Sequence, residues 1–417
     1  MRFDLCEILV AATFTFTALL GTSIGTALAG GPIHGARAGG MGTAFLAVAD
    51  DPSAILHNPG GITQVDGTQV YIGITALKID TSFKDGSGNI EDTEPNIYLP
   101  PHIFLTHRPE SSKITFGFGL HSPFGIGGRE WPSDGFTRYV ATEGGISTIA
   151  MNPTIAFKAN HELSLAVGLD YLQAMSINEM MLDQSAFSAP DGRFRIEGEG
   201  DGWGWNMGSL WQVTPGFRIG LAYRSGISAD MDGDLTITDI APALQADFGG
   251  DSFKTGADTT LEFPEIIGIG IALDSIDRWT FAFDVELVRW SSFDEVHTDF
   301  EVEVPAGGVV DTTAFPNWED SWQIKLGLEH DLSERTSLRG GYAYVQTFVP
   351  DETLEAGNPD SDQHSFSFGY GHGKEIIQID TFVMLSFFEK RNVSNSFQTG
   401  KFENQIAYLG ISVGYRF

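Results

Sequence analysis

The sequence predicts an all-β protein: a 14-stranded antiparallel transmembrane β-barrel with a small N-terminal hatch inside its lumen. The first observation is the C-terminal strand, where alternate residues from Ala407 to Phe417 are apolar and their neighbours are small or polar. A period of two places the apolar side chains on one face. Barrel closure in lipid removes the exposed apolar edge that such a strand would otherwise present. A strand at the end of a β-sandwich is the alternative for this segment.

The second observation is the spacing of similar segments after residue 68. They number fourteen, and bacterial outer-membrane barrels have an even number of strands. The predicted strands are 68–83, 96–108, 112–122, 145–159, 162–183, 192–213, 216–238, 257–273, 278–304, 318–331, 335–349, 362–373, 376–392 and 403–417. Short connectors such as 159–162 alternate with long ones such as 122–144, which is typical of barrels with short periplasmic turns and long outer loops.

The third observation is the N-terminus, which divides the chain into three parts. An apolar stretch ending in Ala27-Leu28-Ala29 predicts a signal peptide over 1–29. A retained membrane anchor is the alternative. Residues 30–66 are rich in Gly and Ala without strand alternation, and they predict the hatch. Residues 67–417 then form the barrel.

Composition limits the chemistry of this 417-residue chain. Its net charge of −31 opposes binding to nucleic acid. The single cysteine, Cys6, lies in the predicted signal peptide, so the mature chain has no disulfide and no thiol nucleophile. Asp230 to Asp234 has the oxygen ligands of a calcium loop but lacks its distal Glu. We therefore expect no metal and no cofactor.

Two local patterns give the hatch and the lumen more detail. Asp51 to Leu56 predicts a short helix with Asp51 as its N-cap, ended by Asn58-Pro59-Gly60 because a residue before proline avoids the helical region. In the strand around residues 279–287, Asp284 and Glu286 alternate with apolar residues. A carboxylate facing lipid is costly, so both are predicted to face the lumen.

Several sequence blocks resemble the FadL family of outer-membrane transporters for hydrophobic compounds. The N-terminal block contains Asn58-Pro59-Gly60, where the family usually has Asn-Pro-Ala. The matching blocks are Gly39–Phe45, Ala49–Ile62, Phe136–Ala141, Asn152–Phe157, Trp203–Asn206, Leu221–Ser225, Trp290–Asp294, Trp318–Trp322 and Leu338–Tyr344. The resemblance implies a fourteen-stranded barrel, a plug, and an outer-membrane location in a Gram-negative bacterium.

The resemblance also implies passive uptake of long-chain fatty acids, or of aromatic hydrocarbons by the same fold. Hatch movement would open the route, and the solute would leave sideways through the wall. The expected partners are a hydrophobic small molecule and outer-membrane lipid, without an obligate protein partner. Two other functions remain as alternatives: a polar-solute porin with an open charged lumen, and an outer-membrane enzyme acting on lipids with a Ser/His/acid set near the outer leaflet.

Candidate substrate-binding residues are mostly apolar, because burial of each CH₂ contributes ~0.8 kcal/mol. From the hatch they are Phe45, Leu46, Ile55 and Leu56, and from the barrel they are Phe116 and Phe118. The hatch residues could equally anchor the plug to the wall.

Charged and strand-breaking residues supply the remaining candidates. Arg138 and Arg224 could bind a substrate carboxylate, or they could pair with lumen acids, and the same holds for Lys325. Pro100-Pro101 and Ser122 to Gly128 could mark a wall opening, or ordinary strand ends.

Overall fold

A computed structural model of the chain describes residues 33–374 and 376–417. All of its strands belong to one antiparallel sheet. The strands are β1 (Thr68–Asp85), β2 (Ile90–Asp92), β3 (Asn96–Tyr98), β4 (Pro101–His107), β5 (Ile114–His121), β6 (Ile126–Glu130), β7 (Glu143–Lys158), β8 (Leu163–Leu182), β9 (Gly192–Thr214), β10 (Phe217–Arg224), β11 (Ile227–Thr238), β12 (Phe253–Phe263), β13 (Ile266–Ile276), β14 (Trp279–Val288), β15 (Val296–Phe300), β16 (Thr312–Ala314), β17 (Ser321–Ser333), β18 (Thr336–Val345), β19 (Gln363–Lys374), β20 (Ile377–Phe388), β21 (Arg391–Ser394) and β22 (Thr399–Arg416).

These 22 segments form a closed barrel of 14 strands, as predicted. The segments outnumber the barrel strands because several barrel strands are interrupted. The second strand comprises β2 to β4, and the seventh and eighth comprise β10 with β11 and β12 with β13. The barrel closes where β1 pairs with β22, from Gln69 opposite Arg416 to Asp85 opposite Gly400. Closure leaves no strand edge exposed to lipid, which confirms the prediction made from the C-terminal strand.

Side chains alternate across the wall. On β22, Leu409, Ile411 and Val413 are exposed on the outer face, whereas Tyr408 and Ser412 are buried toward the lumen. The same pattern around the barrel forms an apolar outer belt. None of the helices in the described part of the chain is long and apolar enough to cross a membrane.

Interruptions of the wall divide five strands that the sequence predicts as continuous: 96–108, 216–238, 257–273, 278–304 and 376–392. Pro264 falls between β12 and β13, and Gly226 between β10 and β11. Proline lacks the N–H that a ladder needs, and glycine adopts bends readily. The third strand of the barrel extends past its predicted end at residue 122, because β5 stops at His121 and β6 continues the strand from Ile126.

The hatch, residues 33–66, lies inside the barrel, as predicted. It contains helix α1 (Ala36–Gly40), helix α2 (Ala54–His57) and a 3₁₀ helix, Pro59–Gln64. Helix α2 begins later than predicted: Ser53 is its N-cap, and Asp51 accepts a hydrogen bond from the Ser53 N–H at 2.8 Å. The predicted signal peptide, 1–29, lies outside the described residues.

The outer half of the lumen is filled with apolar side chains. Long loops fold inward and contribute Trp131, Trp318 and Leu354 to a buried cluster with inward-facing strand residues. The largest members, which we call the outer cluster, are Phe83, Phe124, Trp131, Phe263, Trp290, Phe293, Trp318, Phe348, Leu354 and Phe402. The barrel interior therefore holds an apolar core above the hatch.

Candidate functional site

The hatch sits against glycines of the barrel wall. Gly220 and Gly270 lie under Leu46, and a Cβ atom on Gly220 would collide with the Leu46 carbonyl oxygen. Gly117 lies under Ile55, with only 3.0 Å between its hypothetical Cβ and Ile55 Cδ1. Glycine permits such close approach because it has no side chain. The hatch therefore fits the wall by direct backbone contact as well as by side-chain packing.

One wall carboxylate binds the hatch backbone. Asp284, fully buried on β14, accepts hydrogen bonds at Oδ2 from the Phe45 N–H at 2.6 Å and the Leu46 N–H at 2.9 Å. Both bonds are charge-assisted, which makes them stronger than neutral ones. The sequence predicted that Asp284 faces inward, but it gave no sign of this partner.

An ionic network holds the other end of the hatch. Arg37 pairs with Asp50 within the hatch at 2.7 Å and with Glu329 of the wall at 2.8 Å. Glu329 also accepts from Arg339, which in turn pairs with Asp380 at 2.7 Å. Each buried charge has an opposite partner, as burial of ions requires.

The predicted hatch motif, Asn58-Pro59-Gly60, forms a turn against β9. Asn58 Nδ2 donates to the carbonyl oxygens of Leu46 at 2.7 Å and Ser209 at 2.9 Å. Its Oδ1 accepts from the Gly60 N–H at 3.1 Å. Ser209 lies close to the short turn that follows Thr214, so the motif faces the periplasmic end of the barrel.

A cavity of about 100 Å³ remains between the hatch and the wall. Sites for small molecules usually enclose 300–1,000 Å³, so the described conformation is a closed one. Charged residues face this cavity, and each cation has a carboxylate partner. Lys325 pairs with Glu286 at 2.5 Å, and Arg224 lies 2.5 Å from Asp170. The lining of this cavity, which we call the lumen cavity, includes Leu46, Leu56 and His57 from the hatch, Arg224, Glu286 and Lys325 from the wall, and Pro123 from the wall interruption.

Of the four hatch candidates, two line this cavity and two do not. Leu46 and Leu56 line it. Phe45 packs among Met41, Ala44 and other hatch residues, and Ile55 packs against Phe104 and neighbouring wall residues. Both Phe45 and Ile55 are fully buried.

The two barrel phenylalanines require a correction. Phe116 and Phe118 are exposed on the outer face of β5, toward lipid. The residues of β5 that face the hatch are Gly117 and Gly119, whose hypothetical Cβ atoms would meet Ile55. The strand period allows only one of the two sets to face the lumen.

A second pocket of about 220 Å³, which we call the rim pocket, lies at the outer rim of the barrel and is mostly apolar. Its lining includes Met180, Leu182, Phe187, Ile237, Leu244 and Phe248. Tyr139 borders it, and Arg138 stacks on the Tyr139 ring at 4.1 Å. Arg138 also donates to Asp191 at 2.8 Å, and this hydrogen bond raises the pKa of Arg138 above its ordinary value. Sequence reasoning missed this pocket, because its residues come from four separate segments.

The wall interruption after β5 contacts the hatch. The Ser122 N–H donates to His34 Nε2 at 3.0 Å. Across the same gap, β3 and β6 are bridged by the Tyr98 hydroxyl, which donates to the Gly128 carbonyl oxygen at 2.6 Å. Pro100 lies between β3 and β4, and its carbonyl oxygen accepts from the Thr75 N–H. This interruption of the wall is adjacent to the cavity, because Pro123 lines it.

No group of three or more His, Cys, Asp or Glu side chains among residues 33–374 and 376–417 is placed to hold a metal ion. In particular, Asp230, Asp232 and Asp234 lie on β11 as part of the barrel wall.

Comparison with known proteins gives matches over almost the whole chain. The profile of the family described as "Outer membrane protein transport protein (OMPP1/FadL/TodX)" matches residues 19–417. A long-chain fatty acid transport protein of Escherichia coli O6:H1 is 23% identical over 368 residues, covering 79% of this chain and 80% of that protein.

Two solved structures share the architecture. The crystal structure of a Pseudomonas aeruginosa FadL homologue aligns with a TM-score of 0.81 at 18% identity, covering 94% of this chain and 100% of that chain. The Ralstonia pickettii toluene transporter TbuX aligns with a TM-score of 0.72 at 17% identity, covering 92% of this chain and 98% of that chain. These likenesses show a common fold.

Proposed function

Because the chain belongs to the OMPP1/FadL/TodX family of outer-membrane transport proteins, we propose that it admits long-chain fatty acids by passive diffusion. It is a β-barrel of a Gram-negative outer membrane, and its family transports hydrophobic molecules. Aromatic hydrocarbons are the second candidate substrate class. The names of the similar proteins divide between the two, since one is a fatty acid transporter and another a toluene transporter.

The outer cluster is the observation that carries this proposal. A porin for polar solutes needs a hydrated, polar lumen. Here aromatic and aliphatic side chains fill the outer half of the barrel, and the hatch fills the part below it. A hydrophobic solute gains free energy by leaving water for such surroundings, whereas a polar solute loses its hydration.

The proposed route joins the rim pocket, the lumen cavity and the wall interruption. The rim pocket is open to the exterior and apolar, so it can collect solutes from dilute solution. The lumen cavity lies next to Pro123, within the interruption that follows β5. Because the cavity is small, passage requires displacement of hatch residues such as Leu56. The solute would then leave sideways into the lipid.

Two cationic groups of the lumen cavity offer an acid a hydrogen-bonding site that a hydrocarbon cannot use. Arg224 and Lys325 both line it, and each already has a carboxylate partner in the closed state. A substrate carboxylate could join either pair as a further acceptor, since guanidinium and ammonium groups have several N–H donors. Arg138 offers a similar group beside the rim pocket.

Transport explains the buried Ser–His contact better than lipid hydrolysis does. Ser412 Oγ lies 3.0 Å from His102 Nε2, but Ser412 and His102 are both buried beneath the hatch. Ser412 Oγ also accepts from the Ala36 N–H at 2.9 Å. A nucleophile acting on the outer leaflet needs access to lipid, and this serine instead helps to fix the hatch.

The test measures binding to the purified full-length protein of saturated fatty acids, from octanoate to stearate, and of the matching 1-alkanols. We expect affinity to rise about fourfold per added CH₂ until the pocket is full, from ~0.8 kcal/mol per buried CH₂. Affinity independent of chain length would contradict the proposal.

Charge-balanced variants distinguish acids from hydrocarbons. Removing Arg224 alone would leave Asp170 buried without a partner, so both members of each ion pair are changed together. The lumen variants are D170N/R224Q and E286Q/K325Q. The control is D234N/K254Q, which removes an exposed ion pair on the outer face. Each lumen variant should weaken acids about tenfold, because a charge-assisted hydrogen bond contributes ~1.5–3 kcal/mol, while sparing the alkanols. Equal losses for acids and alkanols would reject the carboxylate role and leave the hydrophobic route intact.

A further inference from the structure

One flank of the outer surface of this acidic protein combines a group of lysines with two outward acids, Asp80 and Glu403, that pair with three of them. Four of the nine lysines of the chain lie there, although acidic residues outnumber basic ones by 55 to 24. We call this surface the lysine face. It consists of Lys78 and Lys84 on β1, Lys401 on β22, and Lys390 between β20 and β21.

The alternation of β1 establishes that the lysine face points outward. Leu77, Ile79 and Phe83 are buried in the lumen, so Lys78 and Lys84 lie on the opposite side of the strand. Lys401 is directly opposite Lys84 in the β1–β22 pair and therefore shares its face. The Lys390 side chain is 60% exposed.

The amino groups converge. Lys390 Nζ and Lys401 Nζ both bind Oε1 of Glu403, at 2.8 Å and 3.0 Å, so they lie within 5.8 Å of each other. Lys84 has no carboxylate partner within 4 Å among the described residues, and it faces Lys401 across the strands. Like charges directly opposite each other destabilise a sheet. A bound anion between them would remove the part of that cost that Glu403, 3.0 Å from Lys401, leaves in place.

The position of the lysine face relative to the apolar belt identifies the kind of anion. Toward the periplasm on the same strands, the outer surface is apolar, with Ile72 and Ile74 on β1, Leu409 on β22 and Leu385 on β20 all exposed. The lysines thus lie at the outer boundary of the hydrocarbon region, where lipid headgroups are found. A ligand that fits both surfaces has acyl chains and an anionic headgroup large enough to contact several lysines.

The opposite flank of the barrel differs. On β11 and β12, Asp230, Asp232 and Asp258 face outward, and Asp232 lies directly opposite Asp258. Of these two flanks, the lysine face is the better match for an anionic headgroup, because its four lysines outnumber the two carboxylates, Asp80 and Glu403, that pair with them.

We propose that the lysine face binds the phosphates of a lipid A-type glycolipid in the outer leaflet. Lys84, Lys390 and Lys401 hold the phosphates, Lys78 supports the headgroup nearer the hydrocarbon boundary, and the acyl chains lie along β20 and β22. Binding fixes the orientation of the barrel relative to its lipid surroundings.

The experiment uses the purified full-length protein and native mass spectrometry with three probes: diphosphoryl lipid A, monophosphoryl lipid A and phosphatidylglycerol. The test variant is K84Q/K390Q/K401Q, and the matched control is K113Q/K158Q/K254Q, which removes three lysines outside the lysine face. We expect the test variant to lose at least about tenfold in affinity for diphosphoryl lipid A, from ~1 kcal/mol per lysine near the membrane surface, and the control to keep its affinity. The wild type should bind the diphosphoryl form more tightly than the other two probes.

Two results would overturn the proposal: unchanged binding in the test variant, or equal affinity of the wild type for phosphatidylglycerol and diphosphoryl lipid A. If the triple variant fails to fold, K390Q alone remains usable, because Lys390 lies outside the strands and is largely exposed. It should weaken diphosphoryl lipid A about threefold or more and leave phosphatidylglycerol unaffected. No change with K390Q would equally count against the assignment.

Discussion

The Asp284 carboxylate is the contact most open to a quantitative test, because one side chain holds two hatch amides. The change Asp284→Ala removes the acceptor of both N–H groups, at Phe45 and Leu46, and leaves them buried. The change Asp284→Asn keeps an oxygen that can still accept, without the charge. We therefore expect the hatch to loosen in the order wild type, D284N, D284A.

The magnitude follows from the geometry. Bonds of 2.6 and 2.9 Å to a charged acceptor contribute ~1.5–3 kcal/mol each, and part of that is offset because the variant no longer buries a carboxylate. A net loss of ~3 kcal/mol for local opening corresponds to about a hundredfold lower amide protection, at ~1.36 kcal/mol per factor of ten. D284N should lose about half of this free energy, or roughly tenfold in protection.

Hydrogen exchange read by mass spectrometry, on peptides covering residues 41–49, measures this opening directly. The control is Glu179→Gln, a buried wall carboxylate whose arginine partners, Arg193 and Arg195, lie near the outer rim. It should leave these peptides unchanged. Unaltered protection in D284A would refute the view that Asp284 holds the hatch, as would a loss that appears equally in E179Q.

Two further predictions concern the seat of the hatch and an outer loop. Gly220→Ala places a methyl group against the Leu46 carbonyl oxygen, and this overpacking should destabilise the seated hatch by ~1–3 kcal/mol. The looser hatch should raise ion conductance in planar bilayers. Gly340→Ala is the control, because no atom lies within 4 Å of the new Cβ, and it should behave as wild type. Burial raises the pKa of Glu355, in the loop after β18, from 4.5 to about 8. The Glu355 carboxyl is therefore neutral in the packed loop and ionises when the loop opens. Hydrogen-exchange protection of residues 352–360 should fall as pH rises from 4.5 to 8, by up to about tenfold per pH unit. Glu355→Gln should abolish this pH dependence.

The strands were predictable because the membrane imposes a simple rule on them. Lipid accepts apolar side chains on every second position, and this constraint is visible along β1 and β22 without knowledge of any contact. The same rule contradicts the prediction that Phe116 and Phe118 line a lumen pocket, because both lie on the lipid-facing positions of β5. Thr115, Gly117 and Gly119, which alternate with them, already mark the lumen side of β5.

The interruptions were less predictable, because local residues permit a break without requiring one. Pro264 separates β12 from β13, yet Pro153 lies within β7, opposite Phe118 of β5. Whether a proline ends a strand depends on whether the neighbouring strand needs its missing N–H at that point. That information belongs to the pairing register and cannot be read from the proline itself.

The hatch contacts could not be predicted, for a reason that also bears on their role. Asp284 is 239 positions from Phe45 in sequence, and Ser209 is 151 positions from Asn58. Such contacts depend on how the hatch is rotated inside the barrel, and no periodicity of either partner fixes that rotation. The contacts combine polar bonds to backbone groups, close approaches over glycine, and apolar packing of hatch side chains such as Ile33 and Ile55 against the wall. The polar bonds can break one at a time, whereas the packed apolar side chains must separate together. We infer that release of the hatch within an intact barrel begins at the polar contacts of Asp284 and Asn58.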